Sequence, residues 1–172
     1  MNIRDAVLAD VPALHQLIES AYRGDEARRG WSHEADLLDG QRTDVEALQE
    51  VLADPKQRML VAEVETLIAC VALRGRGDGV AYLGMLTVSP ARQAGGLGRI
   101  MLHEAEIAAK IYWNATRVEM TVIKQRGDLI AWYERRGYAL TGERRPFPYG
   151  DERFGLPRRP DLEFVVLEKP LC

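Results

Sequence analysis

Apolar residues recur at two different spacings along this chain, and each spacing predicts a different kind of element. After Asp10, which can cap a helix, the apolar positions of residues 11–22 follow helical spacing. The preceding stretch, "NIRDA", is typical of a short strand. In "TDVE", Thr43 and Glu46 have the spacing of a capping box, which predicts a second helix over about residues 43–52.

Three apolar runs occupy the middle of the chain. They are "RMLVAEV", "TLIACVALR" and "GVAYLGMLTVSP", and the stretches between them suit tight turns. We therefore expect an antiparallel meander of three strands. The third strand should end at Pro90, which cannot donate a ladder hydrogen bond. The glycine-rich stretch "QAGGLGRI" (residues 93–100) then leads into a helix from about Gly96 to Tyr112.

Strands and helices alternate in the second half of the chain. "RVEMTVI" (Arg117 to Ile123) predicts a strand, "DLIAWYERR" a helix that ends before Gly137, and "YALTG" and "DLEFVVLEK" two more strands. The connection at residues 143–160 is unusually long and mixes aromatic with charged residues, so it is either a recognition loop or a flap over the sheet edge. Its candidate residues are Arg144, Arg145, Phe147, Tyr149, Phe154, Arg158 and Arg159.

The composition is that of a globular domain. The chain has 172 residues, 47% hydrophobic and 28% charged, with a formal net charge of -3. These values fit a single domain over residues 1–172 and give no general reason to expect nucleic acid. We see no leader segment and no apolar run of the roughly 20 residues that a membrane span needs, so we expect a cytoplasmic protein without membrane contact. Cys70 and Cys172 are far apart and the three histidines lack metal-ligand spacing, so we expect neither a disulfide framework nor a metal site.

The strand, glycine-rich turn and helix around "QAGGLGRI" form a pattern that is typical of anion sites. The unpaired N–H groups at a helix start and the helix dipole both attract phosphate. A P-loop would need Gly-Lys-Ser or Gly-Lys-Thr, which the chain lacks. The dinucleotide fingerprint is matched only in part, because Met101 stands where a third glycine is required after Gly96 and Gly98. A dinucleotide-dependent oxidoreductase is therefore the weaker alternative.

A third phosphate motif fits at each position. Gln93-x-x-Gly96-x-Gly98 resembles the (Gln or Arg)-x-x-Gly-x-(Gly or Ala) pyrophosphate signature of the GNAT superfamily of acetyl-coenzyme A (acetyl-CoA) dependent N-acetyltransferases. "LTVSPARQAGGLGRIMLHEAE" is similar to that family's strand, turn and helix, "LIAWYERRGY" resembles its later tyrosine-bearing element, and "IRDAVLADVPALHQLIESAY" resembles its first strand and helix. The resemblance implies an α/β fold whose mixed, mostly antiparallel sheet has about seven strands and about four helices. The strands should splay where acetyl-CoA binds.

The resemblance also implies which residues bind acetyl-CoA. The pantetheine arm should pair with the strand before the glycine loop, where Leu86 is the expected backbone donor to the thioester carbonyl. Tyr133 stands where the family has a tyrosine that protonates the coenzyme thiolate, although its helical spacing from Leu129 also suits a core aromatic. The implied cofactor-binding residues are Met85, Leu86, Thr87, Val88, Gln93, Ala94, Gly95, Gly96, Leu97, Gly98, Arg99, Arg126 and Tyr133.

Two positions depart from the family pattern. Arg126 stands where many members carry an asparagine, and it either pairs with a phosphate or acidic group or is a solvated surface charge. The strand "AYLGMLTV" lacks the glutamate that many members use as a general base, so Glu119 and Glu34 become the catalytic candidates. The segment that forms a wall of the acceptor site in the family contributes Trp31, Glu34 and Asp36 as substrate contacts and His33 as a further candidate base. Trp31 equally suits an anchor of this loop on the core, and Glu34 a solvated loop carboxylate.

The function implied by the resemblance is transfer of an acetyl group from acetyl-CoA directly to a primary amine. The acceptor would be a small molecule or a peptide, and the enzyme a monomer or homodimer that uses no metal. The missing strand glutamate and the replaced asparagine leave a second interpretation open, a non-catalytic acyl-CoA sensor with the same fold.

Overall fold

The computed structural model describes residues 1–22, 38–39, 42–149 and 155–172, with the backbone alone at 38–39 and 93–94. Its helices are α1 (Val11–Tyr22), α2 (Val45–Ala53), α3 (Leu97–Trp113) and α4 (Gly127–Glu134). Its strands are β1 (Asn2–Asp5), β2 (Leu38–Asp39), β3 (Gln57–Glu63), β4 (Leu67–Gly77), β5 (Val80–Val88), β6 (Arg117–Ile123), β7 (Ala139–Pro146), β8 (Leu156–Pro157) and β9 (Glu163–Pro170). Short 3-10 turns lie at Leu8–Asp10 and Pro90–Gly95. None of the described helices is long and apolar enough to cross a membrane.

Seven strands form one sheet in the order β1-β3-β4-β5-β6-β9-β7. Neighbouring strands are antiparallel except for β5 and β6, which are parallel. β2 and β8 form a separate antiparallel ladder. The predicted meander is confirmed as β3, β4 and β5, and the expected mostly antiparallel α/β fold is confirmed with it. A dinucleotide-binding sheet is built mainly from parallel strands, so the oxidoreductase interpretation is wrong.

Helices cover both faces of the sheet because the strand residues alternate between two cores. On one face, α3 packs its apolar side, centred on Met101, against the sheet. On the other face, α1 contributes Leu14 to a second core that it shares with α2. Along β4, Val71 and Leu73 belong to the first core and Cys70 to the second, as the two-residue period of a strand requires.

Helix α2 begins later than the capping-box pattern predicts. Its N-cap is Asp44, whose carboxylate accepts a hydrogen bond from the Ala47 N–H at 2.7 Å. Thr43 is buried instead, and its N–H donates to Glu19 of α1 at 2.8 Å. The predicted box of Thr43 and Glu46 is wrong because Asp44 supplies the helix cap and Thr43 joins α2 to α1.

An ion-pair cluster fastens the first strand to its neighbours. Arg4 of β1 donates to Asp10 at 2.8 Å and to Glu63 of β3 at 3.1 Å. The hydrogen bond from Arg4 is the main reason that the pKa of Asp10 lies below its ordinary value. The cluster therefore contributes stability while the Asp10 carboxylate is ionised.

A buried carboxylate joins α3 to the opposite half of the sheet. Glu106 is only 8% exposed and accepts hydrogen bonds from the Tyr138 hydroxyl and the Lys169 ammonium, each at 3.0 Å. Burial raises the pKa of Tyr138, so its phenol stays protonated and donates. Because Lys169 belongs to β9, this cluster holds α3 against the strand that pairs with both β6 and β7.

Candidate functional site

A β-bulge in β5 opens the sheet. The register with β4 shifts so that two residues of β5, Met85 and Leu86, oppose a single residue of β4. Met85 has a φ of +49°, a conformation that a side-chain-bearing residue adopts only at a cost in backbone energy. Parallel pairing of β5 with β6 stops at Tyr82, opposite Glu119. Beyond that pair the two strands separate, as the family resemblance implies.

The separation of β5 and β6 forms a main pocket of about 270 Å³. Its walls come from α1, the two strands, the start of α4 and the segment after β7, and include Tyr22, Tyr82, Leu86, Arg126, Tyr133 and Phe147. An outer pocket of about 550 Å³ shares Tyr82 and Phe164 with it, among other residues. The two pockets are therefore parts of one continuous cleft.

The glycine loop follows β5 and begins α3. Gly96 has a φ of +76° and is the N-cap of the helix. No side chain caps α3 there, so its first N–H groups have no intrahelical acceptor. A Cβ added at Gly95 would meet no atom within 4 Å, so the turn is open at this point. The helix start thus suits an anion. Leu97 and Gly98 are buried at this helix start. The side chains of Gln93 and Ala94, which the resemblance implies as cofactor contacts, are not among the described atoms.

A cluster of arginines adds positive charge near this helix start. The pKa of Arg136 is lowered by burial and, secondarily, by the charges of Arg135 and Arg99. The Arg136 guanidinium stacks 4.0 Å from the Trp132 ring centroid, and its Nε is buried without a hydrogen-bond partner among the described residues. Mutually repelling cations and an unsatisfied donor suit an anionic ligand. Sequence analysis missed Arg136, because the pair of arginines before Gly137 is equally typical of a solvated helix end.

Tyr133 lies on α4 and lines the main pocket, with only 6% of its surface exposed. Its ring packs edge-on against Trp132 and Tyr138, at centroid distances of 5.1 and 5.8 Å. Burial raises the pKa of Tyr133 well above its ordinary value. The phenol is therefore neutral at physiological pH and able to donate a proton. The ring is thus packed in the core, as its helical spacing suggests, and also lines the pocket, whereas its catalytic role stays a prediction.

Arg126 is only 8% exposed, so its interpretation as a solvated surface charge is wrong. It lines the main pocket, and its Nε donates to Asp128 at 3.1 Å. Its backbone N–H donates to the Ile123 carbonyl at 2.9 Å, which holds the start of α4 close to the end of β6. The positive charge of Arg126 acts on the pKa of Tyr133 in the direction opposite to burial. Arg126 thus makes the phenol a stronger acid than burial alone would.

The peptide groups of the bulge are held on both sides of Leu86. The Met85 carbonyl accepts a hydrogen bond from the Thr87 hydroxyl at 2.8 Å, and the Leu86 carbonyl accepts one from the Tyr22 hydroxyl. Because a peptide group is planar, the first of these bonds also orients the Leu86 N–H. Thr87 and Val88 are themselves buried. Sequence analysis missed the role of Tyr22, because its position on α1 predicts a core residue.

Glu119, the candidate base on β6, is engaged by arginines. Its carboxylate accepts a hydrogen bond from Arg145 at 2.8 Å and another from Arg76. The carboxylate oxygens are therefore already engaged by two guanidinium groups. Among the described residues that line the two pockets there is no Asp, Glu or His. The described side chains also include no group of three or more His, Cys, Asp or Glu that could hold a metal ion.

Part of the predicted acceptor side lies outside the described residues, namely Trp31, His33, Glu34, Asp36 and Phe154. Of the long segment after β7, Phe147 and Pro148 line the main pocket. Phe147 is buried and packs on Phe164, with 5.6 Å between the ring centroids. The Tyr149 hydroxyl donates to the Arg159 carbonyl at 2.7 Å. The described part of the segment is therefore folded onto the sheet and shapes one wall of the cleft.

Known proteins share this architecture. Residues 12–138 match the acetyltransferase (GNAT) family, whereas comparison with curated proteins gives no match. Among solved structures, the chain is similar to a ribosomal-protein-alanine N-acetyltransferase from Brucella melitensis, with a TM-score of 0.71 and 19% identity over 99% of this chain and 100% of that one. It is also similar to a spermidine N-acetyltransferase chimera from Vibrio cholerae and hSSAT (TM-score 0.68, 15% identity, 99% and 96% covered). An acetyltransferase of the GNAT family from Staphylococcus aureus gives a TM-score of 0.67 at 14% identity, with 99% of both chains covered. At these identities the likeness is one of fold.

Proposed function

The chain belongs to the acetyltransferase (GNAT) family, and from this premise we propose that it transfers the acetyl group of acetyl-CoA directly to a primary amine of a small molecule or peptide. Membership of the family makes the protein an acyltransferase. The main support for the finer assignment is that Leu86 and Tyr133 line one pocket, and that Leu86 lies on β5, the strand that leads through the glycine loop to an uncapped helix start. Cys70 and Cys172 are both free, which suits a reducing compartment, so we assign the reaction to the cytoplasm.

In this proposal the glycine loop holds the pyrophosphate of acetyl-CoA. The N–H groups at the start of α3 donate to the phosphate oxygens, and Arg99 and Arg136 supply positive charge. The splayed edge of β5 then receives the pantetheine arm, with Met85 and Leu86 in the bulge. Two observations support the fit: the helix start lacks a side-chain cap, and the Nε of Arg136 lacks a partner among the described residues.

The chemistry assigned to the pocket needs an oxyanion donor and a general acid. The Leu86 N–H donates to the thioester carbonyl oxygen, where negative charge develops. The amine nitrogen attacks the carbonyl carbon, a C–N bond forms, the C–S bond breaks, and the Tyr133 hydroxyl gives its proton to the departing sulfur. The proton lost by the nitrogen passes through water and restores Tyr133. Because the sulfur leaves into the same buried environment, burial raises the proton affinity of the thiolate as well as that of the phenolate.

We assign the base that deprotonates the amine to a group other than the described residues that line the cleft. No carboxylate or imidazole lines the described walls of the cleft, and Glu119 is held by Arg76 and Arg145. We therefore assign this step to water or to the carboxylates of Glu34 or Asp36. The same observation favours a second candidate function, a non-catalytic acyl-CoA sensor, which would need no base.

Thermal unfolding with and without ligand tests the donor. Acetyl-CoA or CoA at 100 times its dissociation constant should stabilise the protein by about 2.7 kcal/mol, which corresponds to a rise in Tm of about 5–11 °C for a domain of this size. No rise with either coenzyme would contradict both candidate functions.

Turnover of an amine panel, followed by detection of the free thiol, separates the enzyme from the sensor. Tyr133→Phe should lower kcat by about 100-fold or more, as expected for loss of a general acid, and should leave the coenzyme-induced rise in Tm intact. Tyr112→Phe is the matched control, because Tyr112 is 45% exposed and lines neither pocket. Equal turnover by parent and Tyr133→Phe would remove Tyr133 from the mechanism. Coenzyme binding without turnover of any amine would favour the sensor.

A further inference from the structure

The outer pocket carries an excess of positive charge on its described walls. Three arginines line it, namely Arg42, Arg74 and Arg145. Arg145 is already neutralised, because it pairs with Glu119 at 2.8 Å and with Glu143 at 2.7 Å. No carboxylate of the described residues forms an ion pair with the guanidinium group of Arg42 or Arg74. These two cations therefore determine the charge of the described part of this pocket.

The guanidinium groups of Arg42 and Arg74 each contact an aromatic ring that lines the main pocket. The Arg42 guanidinium carbon lies 5.3 Å from the centroid of the Tyr22 ring, and that of Arg74 lies 5.4 Å from the centroid of the Tyr82 ring. Tyr22 and Tyr82 both line the main pocket. Contact with an aromatic face restricts a long arginine side chain without using the N–H donors of its guanidinium group, which stay available to a ligand.

Arg42 is positioned from its backbone as well. Its N–H donates to the Glu19 carboxylate of α1 at 2.7 Å. Arg42 also lines both the main and the outer pocket, so its charge lies at the junction between them. An amine acceptor that extends through both pockets therefore lies beside this guanidinium group.

We infer that the acceptor is an amine whose other end carries a carboxylate or a phosphate, bound by Arg42 and Arg74 while the amine points into the main pocket. This inference rests on the proposed acetyltransferase function. An anionic tail is attracted by two guanidinium groups, each of which offers a planar fork of N–H donors. A polyamine brings further positive charge to the same walls and is disfavoured by like-charge repulsion.

A panel of amines with matched lengths and different tails tests this substrate class. Gamma-aminobutyrate carries a carboxylate, phosphoethanolamine a phosphate, butylamine a methyl group and putrescine a second ammonium. We expect kcat/KM to be highest for one of the two anionic amines and lowest for putrescine, and the advantage should shrink as salt is added. The comparison of gamma-aminobutyrate with phosphoethanolamine identifies which anion is preferred.

The variant R42Q/R74Q removes both charges. It should raise KM for the preferred anionic amine by about tenfold or more, as expected when charge-assisted hydrogen bonds are lost. KM for acetyl-CoA should stay unchanged, and the preference for the anionic amine over butylamine should be lost. Arg117→Gln is the matched control, because Arg117 is 49% exposed and lines neither pocket. If butylamine or putrescine is the better substrate and R42Q/R74Q leaves the order unchanged, the inference is overturned while the acetyltransferase function stands.

Binding of an anion without an amine gives a readout that needs no turnover. With CoA saturating, so that the glycine loop is occupied, glutarate or inorganic phosphate should raise the Tm of the parent and of Arg117→Gln but not of R42Q/R74Q. If no amine on the panel is acetylated, this titration decides, and the absence of a shift in the parent overturns the inference. If CoA itself fails to bind, the proposed function fails, and an anion-induced shift that R42Q/R74Q abolishes still supports the anion site.

Discussion

Replacing Gly96 by alanine separates the two roles of the glycine loop, its backbone conformation and its access to phosphate. Gly96 has a φ of +76°, and the nearest atom to an added Cβ would be Arg99 Nη2 at 3.6 Å, an ordinary contact. The cost to folding is therefore backbone strain alone, about 1–2 kcal/mol. For a domain of this size each kcal/mol corresponds to about 2–4 °C, so Gly96→Ala should lower Tm by about 2–8 °C.

The same substitution should weaken coenzyme binding by more than it weakens folding. Relief of the strain would rotate the backbone at Gly96 and turn the first N–H groups of α3 away from the phosphates. Loss of a single charge-assisted hydrogen bond costs about 1.5–3 kcal/mol, so Kd for CoA should rise by about 10- to 150-fold. Isothermal titration with CoA measures Kd, and differential scanning calorimetry without ligand measures Tm.

Gly142→Ala is the matched control for strain. Gly142 has a φ of +88°, a Cβ added there would meet no atom within 4 Å, and it lies on β7 outside the glycine loop. Both variants should therefore lose similar stability, whereas only Gly96→Ala should bind CoA weakly. If the two variants lose equal stability and both bind CoA with the parent Kd, the glycine loop is not the pyrophosphate site.

Three further experiments test other parts of the structure. Arg136→Gln should raise Kd for CoA by about tenfold through loss of a charge-assisted contact, and an unchanged Kd in titration calorimetry would exclude Arg136 from the site. Asp10→Asn should lower the free energy of unfolding by about 1–2 kcal/mol at pH 7. Since the pKa of Asp10 is lowered by folding, this contribution is present above the unfolded pKa of about 3.9 and is lost as the pH falls through the folded pKa. Urea titrations should therefore show the difference from the parent shrinking towards pH 2, and a difference independent of pH would contradict the ion-pair explanation. Lys169→Met should lower the free energy of unfolding by about 1–3 kcal/mol because it removes a donor from buried Glu106. Adding Glu106→Gln should recover part of that loss in the same urea titrations. No recovery is expected if the loss comes from packing alone.

The elements that face a core could be predicted from the sequence. The strand predicted over Arg117 to Ile123 has those bounds in the structure, because its alternate residues are buried and produce a clear two-residue period. Strand β7 instead extends past its predicted end at Gly142 to Pro146. Its residues are almost all exposed, so no apolar period marks its length, which is set by pairing with β9.

The candidate site could be predicted only where local sequence determines it. The glycine loop and Tyr133 belong to short patterns of small and aromatic residues. The bond between Tyr22 and Leu86 joins residues 64 positions apart, and nothing near either residue indicates it. The bulge lies within an apolar run next to Gly84, and an isolated glycine in a strand is typical of a bulge. The positive φ nevertheless falls on the neighbouring Met85, a residue whose type does not indicate it.

The position of β9 has a consequence for synthesis on the ribosome. β9 lies between β6 and β7 although it follows both in the chain. A nascent chain that has emerged as far as β7 therefore contains β1, β3, β4, β5 and the complete glycine loop, but its β6 and β7 still expose unpaired edges. The helix start that we propose as the phosphate site can form early in translation, whereas the cleft that contains Tyr133 is completed only when β9 inserts. A nascent chain would thus acquire the proposed phosphate site before the proposed catalytic site.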